Sequence, residues 1–418
     1  MNWLYNTGIR LYSAAAKAGA LKSKKIATMI QGQSDTMLRL KNDLADLDRP
    51  IWVHAASLGE FEQGRTLIER IRSEHPQRQI LLSFFSPSGY EVRKNYDKVD
   101  KVIYLPFDSP DNARELVETI NPSVAIFVKY EFWGNYIENL HSRDIPVYLI
   151  SAIFRPGQIF FRPWGGFMRH ILTLYTHIYV QDERSASLLA GIGVKNVTVA
   201  GDTRFDRVTD IMKTTARIDG IERFNNGEKA TLIVGSSWEA DEEKYVPWIN
   251  SNPDVTFIIA PHEFNDRRLD ALRKSLSGKV MYLSEWEQMH RECDAPRVDN
   301  VRGLIVDCFG KLSTLYRYAQ MAYIGGGFGA GIHNINEAAV YGIPVIFGPT
   351  HKKFKEASDL ISLGGGFCCH NPHEVVETLT TLHTNHVILK SAGQIAGEYI
   401  KKNLGATDII YRDITPLL

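Results

Sequence analysis

The chain has 418 residues, of which 44% are hydrophobic and 23% are charged, an ordinary composition for a globular protein with a large core. This length predicts two domains of roughly 150 to 200 residues each. The 48 basic and 48 acidic residues balance, which argues against a dedicated nucleic-acid-binding protein. The four cysteines show no Cys-x-x-Cys spacing, which favours a reducing compartment and no zinc site.

The N-terminal segment 1–45 is basic and amphipathic. Five basic residues precede the first acidic residue, Asp35, and apolar or aromatic side chains lie between them. No apolar run approaches the ~20 residues that span a bilayer, and the apolar core is too broken for a cleaved secretory signal. The pattern predicts a membrane-associating helix that lies on an anionic surface, with a helix packed on its own protein as the alternative.

Strands and helices alternate from residue 46 to residue 208. Short apolar runs predict strands at 50–56, 79–85, 101–105, 124–128, 146–151 and 177–180. Helical patterns separate these runs, for example at 61–73 and at 109–120, where Pro110 takes the first helical position. This alternation predicts a parallel, doubly wound α/β sheet with helices on both faces.

A second alternation follows the polar stretch 225–228, which we interpret as a connector. Predicted strands lie at 230–235, 255–260, 280–283, 303–306, 321–324 and 344–347, within a second domain at 209–385. Residues 386–418 form a C-terminal helical segment that could pack back on the first domain. The overall expectation is two Rossmann-like domains that face an interdomain cleft, with ligands at the carboxyl ends of the strands.

A glycine-rich loop at 325–331 joins a predicted strand to a predicted helix at 334–341. Such a loop lets backbone N–H groups of Gly326 and Gly327 approach a phosphate, and the helix N-terminus adds partial positive charge. The loop lacks the dinucleotide fingerprint and the lysine of a P-loop. Asn334 and Glu337 fit a helix cap as well as a ribose-binding carboxylate, and the two roles are compatible.

Glu60 is the candidate catalytic base because it directly follows the first predicted strand in a glycine-containing turn. A carboxylate there can accept the proton of an attacking hydroxyl. The alternative is equally simple: Ser57 and Glu60 have the spacing of a capping box that opens the next helix.

Other polar residues also follow predicted strands. Lys129 and Glu131 lie beside aromatic residues, which favours a substrate pocket over a surface ion pair. Arg155 and Arg162 alternate with aromatic residues between 154 and 167, a pattern that suits phosphate and acyl-chain contact; a core helix with a basic rim is the alternative.

In the second domain the hydroxyls of Ser236 and Ser237, and the pair Pro261 and His262, fit phosphate or base binding. A lone histidine is more often structural.

These segments together resemble the Kdo (3-deoxy-D-manno-octulosonic acid) transferases of lipid A biosynthesis, which have the B-type glycosyltransferase architecture. The matching pieces, in order, are His54-Ala-Ala-Ser-Leu-Gly-Glu60-Phe, Lys129-Tyr-Glu131-Phe-Trp133, Gly201-Asp-Thr-Arg204-Phe-Asp206, Gly235-Ser-Ser237-Trp-Glu239, Gly325-Gly326 through His333-Asn334 to Glu337, Gly342-x-Pro344 and Gly348-Pro349. They extend over about residues 50 to 350.

The resemblance implies inverting transfer of Kdo from CMP-Kdo to a lipid A precursor, lipid IVA, in lipopolysaccharide biosynthesis. The enzyme would be peripheral or monotopic on the cytoplasmic face of the inner membrane. Glu60 would be the general base, Glu131 would support the same site, and Arg204, usually lysine in the family, would face the donor. The resemblance implies neither a metal nor a cofactor, since CMP-Kdo is a substrate.

For the donor, the resemblance implies that the CMP phosphate and ribose are held by Ser236, Ser237, Gly326, Gly327, Asn334 and Glu337. Pro261 and His262 would contribute too, although the family commonly has Pro-Arg-His where this chain has Pro261-His262-Glu263. Two alternatives use the same features: a B-type enzyme acting on a UDP-sugar, as a transferase or an epimerase, and a non-enzymatic membrane-surface scaffold.

Overall fold

The computed structural model describes residues 2–44, 46–214, 218–224, 229–263, 265–291 and 300–418. The predicted connector at 225–228 and the first cysteine, Cys293, lie outside these residues. The chain divides into two compact units, one of Met1–Arg207 with Leu404–Leu418 and one of Val208–Asn403. The two units are described separately below.

Each unit contains a parallel sheet that has seven strands within the described residues. The strands are β1 (Ile51–Ala55), β2 (Ile80–Phe84), β3 (Lys101–Tyr104), β4 (Val124–Val128), β5 (Val147–Ala152), β6 (His177–Val180), β7 (Val197–Val199), β8 (Thr231–Ser237), β9 (Thr256–Pro261), β10 (Lys279–Tyr282), β11 (Val301–Ile305), β12 (Met321–Ile324), β13 (Val345–Phe347) and β14 (Gly366–Cys368). The sheet orders are β3-β2-β1-β4-β5-β6-β7 and β10-β11-β9-β8-β12-β13-β14. The predicted α/β class and paired Rossmann-like sheets are confirmed.

Helices connect and cover the strands. They are α1 (Asn2–Ala20), α2 (Lys24–Asp43), α3 (Leu58–Glu74), α4 (Pro87–Arg93), α5 (Pro110–Ile120), α6 (Gly134–His141), α7 (Gly166–Thr173), α8 (Glu183–Ala190), α9 (Thr203–Thr214), α10 (Ile221–Phe224), α11 (Glu239–Ser251), α12 (Asp266–Ser275), α13 (Leu283–His290), α14 (Leu312–Leu315), α15 (Asn336–Ala339), α16 (Lys355–Leu363), α17 (Pro372–Thr384), α18 (His386–Lys402) and α19 (Ala406–Ile414). Short 3-10 helices lie at Ile159–Phe161, Tyr316–Tyr318 and Thr415–Leu417.

Both faces of the first sheet are buried, which explains why its strands read as continuous apolar runs. Every residue of β1 and β4 is buried. One face packs against a cluster that contains Phe61 of α3 and Ile410 of α19, and the other against a cluster that contains Leu116 of α5 and Tyr136 of α6.

The C-terminal helix α19 belongs to the first unit, whereas α18 belongs to the second. The hydroxyl of Tyr411 in α19 donates to Glu74 at the end of α3, 2.9 Å away. The guanidinium of Arg70 lies 4.0 Å from the centroid of the Tyr411 ring, a cation–π contact. These contacts hold the end of the chain on α3.

Helix α1 is attached to the first unit through Tyr5. Its hydroxyl donates to the buried carboxylate of Asp108 and accepts the Gly134 N–H at 3.0 Å. Asp108 also accepts the N–H groups of Asn135 and Tyr136, so it caps the start of α6. Burial raises the pKa of Asp108 to about 6, although these hydrogen bonds oppose the shift. In the described part of the chain, no helix combines the length and apolar character needed to cross a bilayer.

The second sheet also packs against buried apolar side chains. The cluster on one face includes Tyr245, Trp248, Phe257 and Tyr323. The predicted helix at 334–341 is shorter in the structure, where α15 covers Asn336–Ala339. The side chain of Asn334 accepts the Asn336 N–H at 3.1 Å and so forms a local turn before the helix. Gly342 then ends the helix with a φ of 71°.

Candidate active site

Glu60 lies in the first turn of α3, directly beyond β1. In a capping box, the Ser57 hydroxyl would accept a helix N–H and Glu60 would accept the Ser57 N–H. Neither bond forms among the described residues, and the Ser57 hydroxyl instead donates to the Glu60 carboxylate. The half-buried Glu60 therefore takes no part in capping α3.

Several charged groups, including Glu60, act on the hydroxyl of Tyr130. Burial raises the pKa of the Tyr130 hydroxyl, and the charge of Glu60 raises it further. The charges of Arg155 and Arg204 lower it. Charged groups from three segments thus act on the Tyr130 phenol, which follows β4. They include Glu60 after β1, Arg155 after β5 and Arg204 at the start of α9. The sequence analysis did not single out Tyr130.

Arg204 is held by a neighbouring carboxylate that the sequence analysis did not consider. Both Nε and Nη2 of Arg204 donate to Oδ2 of Asp202, at 2.9 and 2.7 Å. Burial alone would raise the pKa of Asp202, but the charge and hydrogen bonds of Arg204, with a hydrogen bond from Gln63, hold it below its usual value. The ion pair fixes the guanidinium near the phenol of Tyr130.

The side chain of Glu131 is buried and contacts two neighbouring side chains, Trp133 and His54. Its Oε2 accepts the indole N–H of Trp133 and lies 3.1 Å from Nε2 of His54. Because a carboxylate can only accept, that imidazole nitrogen carries the proton. On the other side of the ring, Nδ1 lies 2.9 Å from the Ser83 hydroxyl, which accepts the Trp52 indole N–H at 2.8 Å. Glu131 is therefore not part of a surface ion pair.

Lys129, Arg155 and Arg162 differ in their surroundings. Lys129 has a φ of 73°, and its Nζ lies 5.3 Å from the centroid of the Tyr130 ring. A non-glycine residue in this left-handed region marks local strain of the kind that collects at functional sites. Arg155 is exposed and is one of the charges that act on Tyr130. Arg162 is exposed.

The aromatic residues around these arginines divide between the core and the surface. Phe154 and Phe160 are buried, with ring centroids 5.6 Å apart. Trp164 is 74% exposed and Ile159 is 45% exposed. The 3-10 turn at Ile159–Phe161 places Phe160 inward, Phe161 partly buried against the core and Ile159 outward, which the composition of the loop does not indicate.

In the second unit, close backbone packing explains two glycines of the loop after β12. A Cβ at Gly325 would come within 2.2 Å of the Ser236 carbonyl oxygen, and a Cβ at Gly327 within 2.4 Å of the Gly348 nitrogen. The N–H of Gly326 donates to Asp241 at 2.8 Å. The N–H of Gly327 has no hydrogen-bond partner among the described residues, so of the two predicted phosphate-binding amides only this one is unoccupied.

Asp241 organises this loop and was missed by the sequence analysis. Its buried carboxylate accepts from the N–H groups of Trp238 and Gly326 and from the hydroxyl of Tyr323, at 2.9, 2.8 and 3.1 Å. The first of these bonds is the second half of a capping box at the start of α11. The sequence does offer a signal for this capping role, because Asp241 occupies the third helical position after Trp238.

The two serines at the end of β8 have different environments. Ser236 has a φ of 54°, and the pairing register with β9 shifts between Gly235 and Ser237. Such a bulge re-aims a side chain at the end of a strand. Ser237 is buried, and its hydroxyl lies 3.4 Å from Glu242 Oε1.

His262 stacks with two other rings at the ends of β8, β9 and β12. Its ring centroid lies 4.6 Å from that of Trp238 and 4.3 Å from that of His333. Burial, together with the charge of His262, lowers the pKa of His333 to about 4. His333 is therefore neutral at physiological pH, and its Nε2 accepts the Trp238 indole N–H at 3.3 Å. Pro261 is buried beneath this stack at the end of β9.

Glu337 and Asn334 hold each other at the start of α15. The amide of Asn334 donates to Oε1 of Glu337 at 3.1 Å, and the hydroxyl of Ser313 donates to Oε2 at 2.6 Å. In both of these bonds Glu337 accepts from a side chain. Among the residues that the structure describes, no group of three or more His, Cys, Asp or Glu side chains could hold a metal ion.

Comparisons with known proteins agree with this arrangement. The family described as "3-Deoxy-D-manno-octulosonic-acid transferase (kdotransferase)" matches residues 23–207. The "3-deoxy-D-manno-octulosonic acid transferase" of Aquifex aeolicus is 27% identical over 377 residues, which cover 87% of this chain and 95% of that protein. A "Bifunctional glycosyltransferase/methyltransferase" of Fusobacterium nucleatum is 24% identical over 90% of this chain, which spans only 59% of that protein's length.

A solved structure shows the same fold. The UDP-GlcNAc 2-epimerase from Neisseria meningitidis, bound to UDP-GlcNAc, superposes with a TM-score of 0.59 at 13% identity and covers 88% of this chain and all of that one. Identity this low establishes the fold alone. Two parallel sheets of this kind form the B-type glycosyltransferase fold, which this epimerase shares. The similarity to Kdo transferases indicates an enzyme of the glycosyltransferase class. Within that class, the chain is similar to Kdo transferases over most of its length.

Proposed function

We propose that the protein transfers Kdo from CMP-Kdo to a lipid A precursor, lipid IVA. The match of residues 23–207 to the family model and the similarity to the Aquifex aeolicus protein support the chemistry. One structural observation carries the assignment of the base: the carboxylate of Glu60 lies at the carboxyl end of β1 and takes no part in capping the helix that follows. A carboxylate whose hydrogen bond comes from a neighbouring hydroxyl can exchange that partner for an acceptor hydroxyl.

The proposed reaction is a single displacement. The acceptor oxygen attacks the anomeric carbon of Kdo while its proton passes to Glu60. The bond between that carbon and the CMP phosphate oxygen breaks, and its electron pair stays on the phosphate oxygen. Attack opposite the leaving group inverts the anomeric configuration. In this scheme Glu131, fixed by His54 and Trp133, shapes the acceptor side of the site.

The second unit would hold CMP. Among the predicted contacts, the unoccupied N–H of Gly327 and the bulged Ser236 suit the phosphate, and the joined side chains of Asn334 and Glu337 suit the ribose. Donors already aimed at the departing phosphate stabilise its developing charge. The step as proposed uses neither a divalent metal nor a further cofactor. His262, which is exposed and stacks with Trp238 and His333, suits the base.

The test is Kdo transfer by the purified chain, with CMP-Kdo generated in the same tube, a tetraacylated disaccharide acceptor, and product detected by mass. We expect product without added metal, and we expect CMP to inhibit more strongly than UDP. Preferential binding of UDP with no Kdo product would move the protein to the UDP-sugar enzymes. Absence of any nucleotide binding would favour a membrane-surface scaffold instead.

We also propose that the first unit lies on the cytoplasmic face of the inner membrane through α1. Trp3, Leu4 and Leu11 of this helix are 72%, 64% and 67% exposed, and basic residues flank them. Burying large apolar side chains at an interface and placing lysine and arginine near anionic headgroups both favour binding. Tyr5 would then transmit the position of the membrane to the segment that follows β4, because it contacts Gly134.

Replacing Trp3 and Leu11 by serine should reduce the affinity for anionic vesicles by about 10²-fold or more, measured by co-sedimentation, because apolar burial contributes roughly 1.5 to 3 kcal/mol for each large side chain and about 1.4 kcal/mol is a factor of ten. Val387, which is 79% exposed in the second unit, provides the matched control: Val387→Ser should bind as the wild type does. Equal binding by both variants would argue that α1 only packs on its own protein.

A further inference from the structure

A groove of about 590 Å³ lies between α1, α2 and the segment that follows β3. Its apolar lining includes Ile30, Met37 and Phe107, and its charged lining consists of Arg10 and Lys17. None of its lining residues is acidic. The volume is within the range of small-molecule sites, and the lining suits a ligand with both an apolar chain and an anionic group.

The groove also contains a buried polar group without a partner. Gln33 of α2 lines it and is 4% exposed, and neither Oε1 nor Nε2 of its amide has a hydrogen-bond partner among the described residues. A buried amide without partners is costly, so such a group is usually explained by a ligand or an ordered water.

The opposite side of α2 provides a contrast within the same molecule. A second groove of about 550 Å³ is lined by Asp35, Asp43 and Glu91, with Arg39 among them. The two grooves are similar in volume but opposite in charge. An anionic ligand would therefore enter the first groove and be repelled by the second.

Aromatic contacts connect the first groove to the candidate catalytic site. The ring of Phe107 lies 5.7 Å from that of Phe85, and Phe85 lies 4.9 Å from Trp133, whose indole donates to Glu131. The groove follows β3, two strands from β1 in the sheet order, or roughly 10 Å at the usual strand spacing. A chain attached to a sugar at Glu60 can span that distance.

We propose that this groove binds one acyl chain of the acceptor, with an acceptor phosphate on Arg10 and Lys17 and a polar group of the acyl linkage at Gln33. The inference rests on the proposed function, in which the acceptor is a phosphorylated, acylated disaccharide. In this proposal, the groove selects acylated over non-acylated acceptors.

The decisive measurement is equilibrium binding of a fluorescent, acylated and phosphorylated disaccharide to the full chain without CMP-Kdo. We compare the wild type, the double variant Arg10→Ser/Lys17→Ser, and Ala14→Trp, which fills the groove from an exposed position of α1. Both variants should raise the Kd at least 10-fold. Arg39→Ser, which removes an exposed arginine from the acidic groove, should leave it unchanged.

Transfer assays then separate this role from a merely structural one. On the acylated acceptor both groove variants should raise KM with little change in kcat, whereas kcat/KM on the deacylated, dephosphorylated disaccharide should match the wild type. Equal losses on both acceptors, an unchanged Kd, or displacement of the probe by bilayer phospholipid as readily as by unlabelled acceptor would overturn the proposal. If the wild type transfers no Kdo, the proposed function is wrong. The binding measurement still shows whether the groove binds the acylated, phosphorylated disaccharide.

Discussion

Glu60→Gln is expected to lower kcat for Kdo transfer by about 10²- to 10⁴-fold, the range that a general base contributes. Glutamine keeps the size of the side chain but cannot take the acceptor proton. KM for CMP-Kdo should change little, because Glu60 is not among the residues predicted to hold CMP. The measurement is initial rate against CMP-Kdo concentration, with folding checked by circular dichroism.

Glu183→Gln is the matched control, since Glu183 also occupies the first turn of a helix that follows a strand of the same sheet. Its activity should equal that of the wild type. A Glu60→Gln protein that retains more than about a tenth of the wild-type kcat would remove Glu60 from the role of base. Glu131, which is buried but lies on the same edge, would then be the next carboxylate to examine.

Asp241→Ala is expected to destabilise the second unit by roughly 3 kcal/mol and to weaken CMP binding. The substitution leaves three donors without their acceptor, including the N–H groups of Trp238 and Gly326, and unmade bonds of buried groups cost about 1 to 3 kcal/mol each. Part of this cost is recovered when water enters the site. Urea denaturation and CMP titration measure the two effects.

Two further variants make this prediction specific. Asp241→Asn keeps one accepting oxygen and should give an intermediate loss. Glu243→Ala, on an exposed position of the same helix, should change stability by less than about 0.5 kcal/mol. Unchanged CMP affinity in Asp241→Ala, despite lower stability, would show that the geometry of the glycine loop does not govern nucleotide binding.

The strands were predictable because both faces of a parallel sheet are buried. The runs at 124–128 and 321–324 match β4 and β12 to the residue, and most other predicted ends shift by one or two positions. The short strands β7 and β14 were not predicted, because each has only three residues and β14 follows a run of glycines. The helix at 334–341 was predicted too long, since an asparagine near a helix start can bind the backbone in a turn instead of a cap.

Positions at the carboxyl ends of strands also followed from the sequence, because parallel topology brings all such ends to one edge. Glu60, Ser236 and His262 were found in this way. The partners of Glu131 and Gly326 did not follow from the sequence. His54 lies 77 residues from Glu131, and Gly326 lies 85 residues from Asp241. Local periodicity carries no information about contacts over such separations.

The sequence by itself therefore determined the alternation of elements, the class of fold, and the set of chain positions from which a site could be built. Only the tertiary structure decided how each polar side chain is used. It turned Ser57 toward Glu60 instead of the helix amides, buried Ser237 beside Glu242, and bound the Gly326 amide to Asp241. The physical reason is that a hydrogen bond depends on distance and direction within a few tenths of an ångström, which strand order and side-chain packing set together.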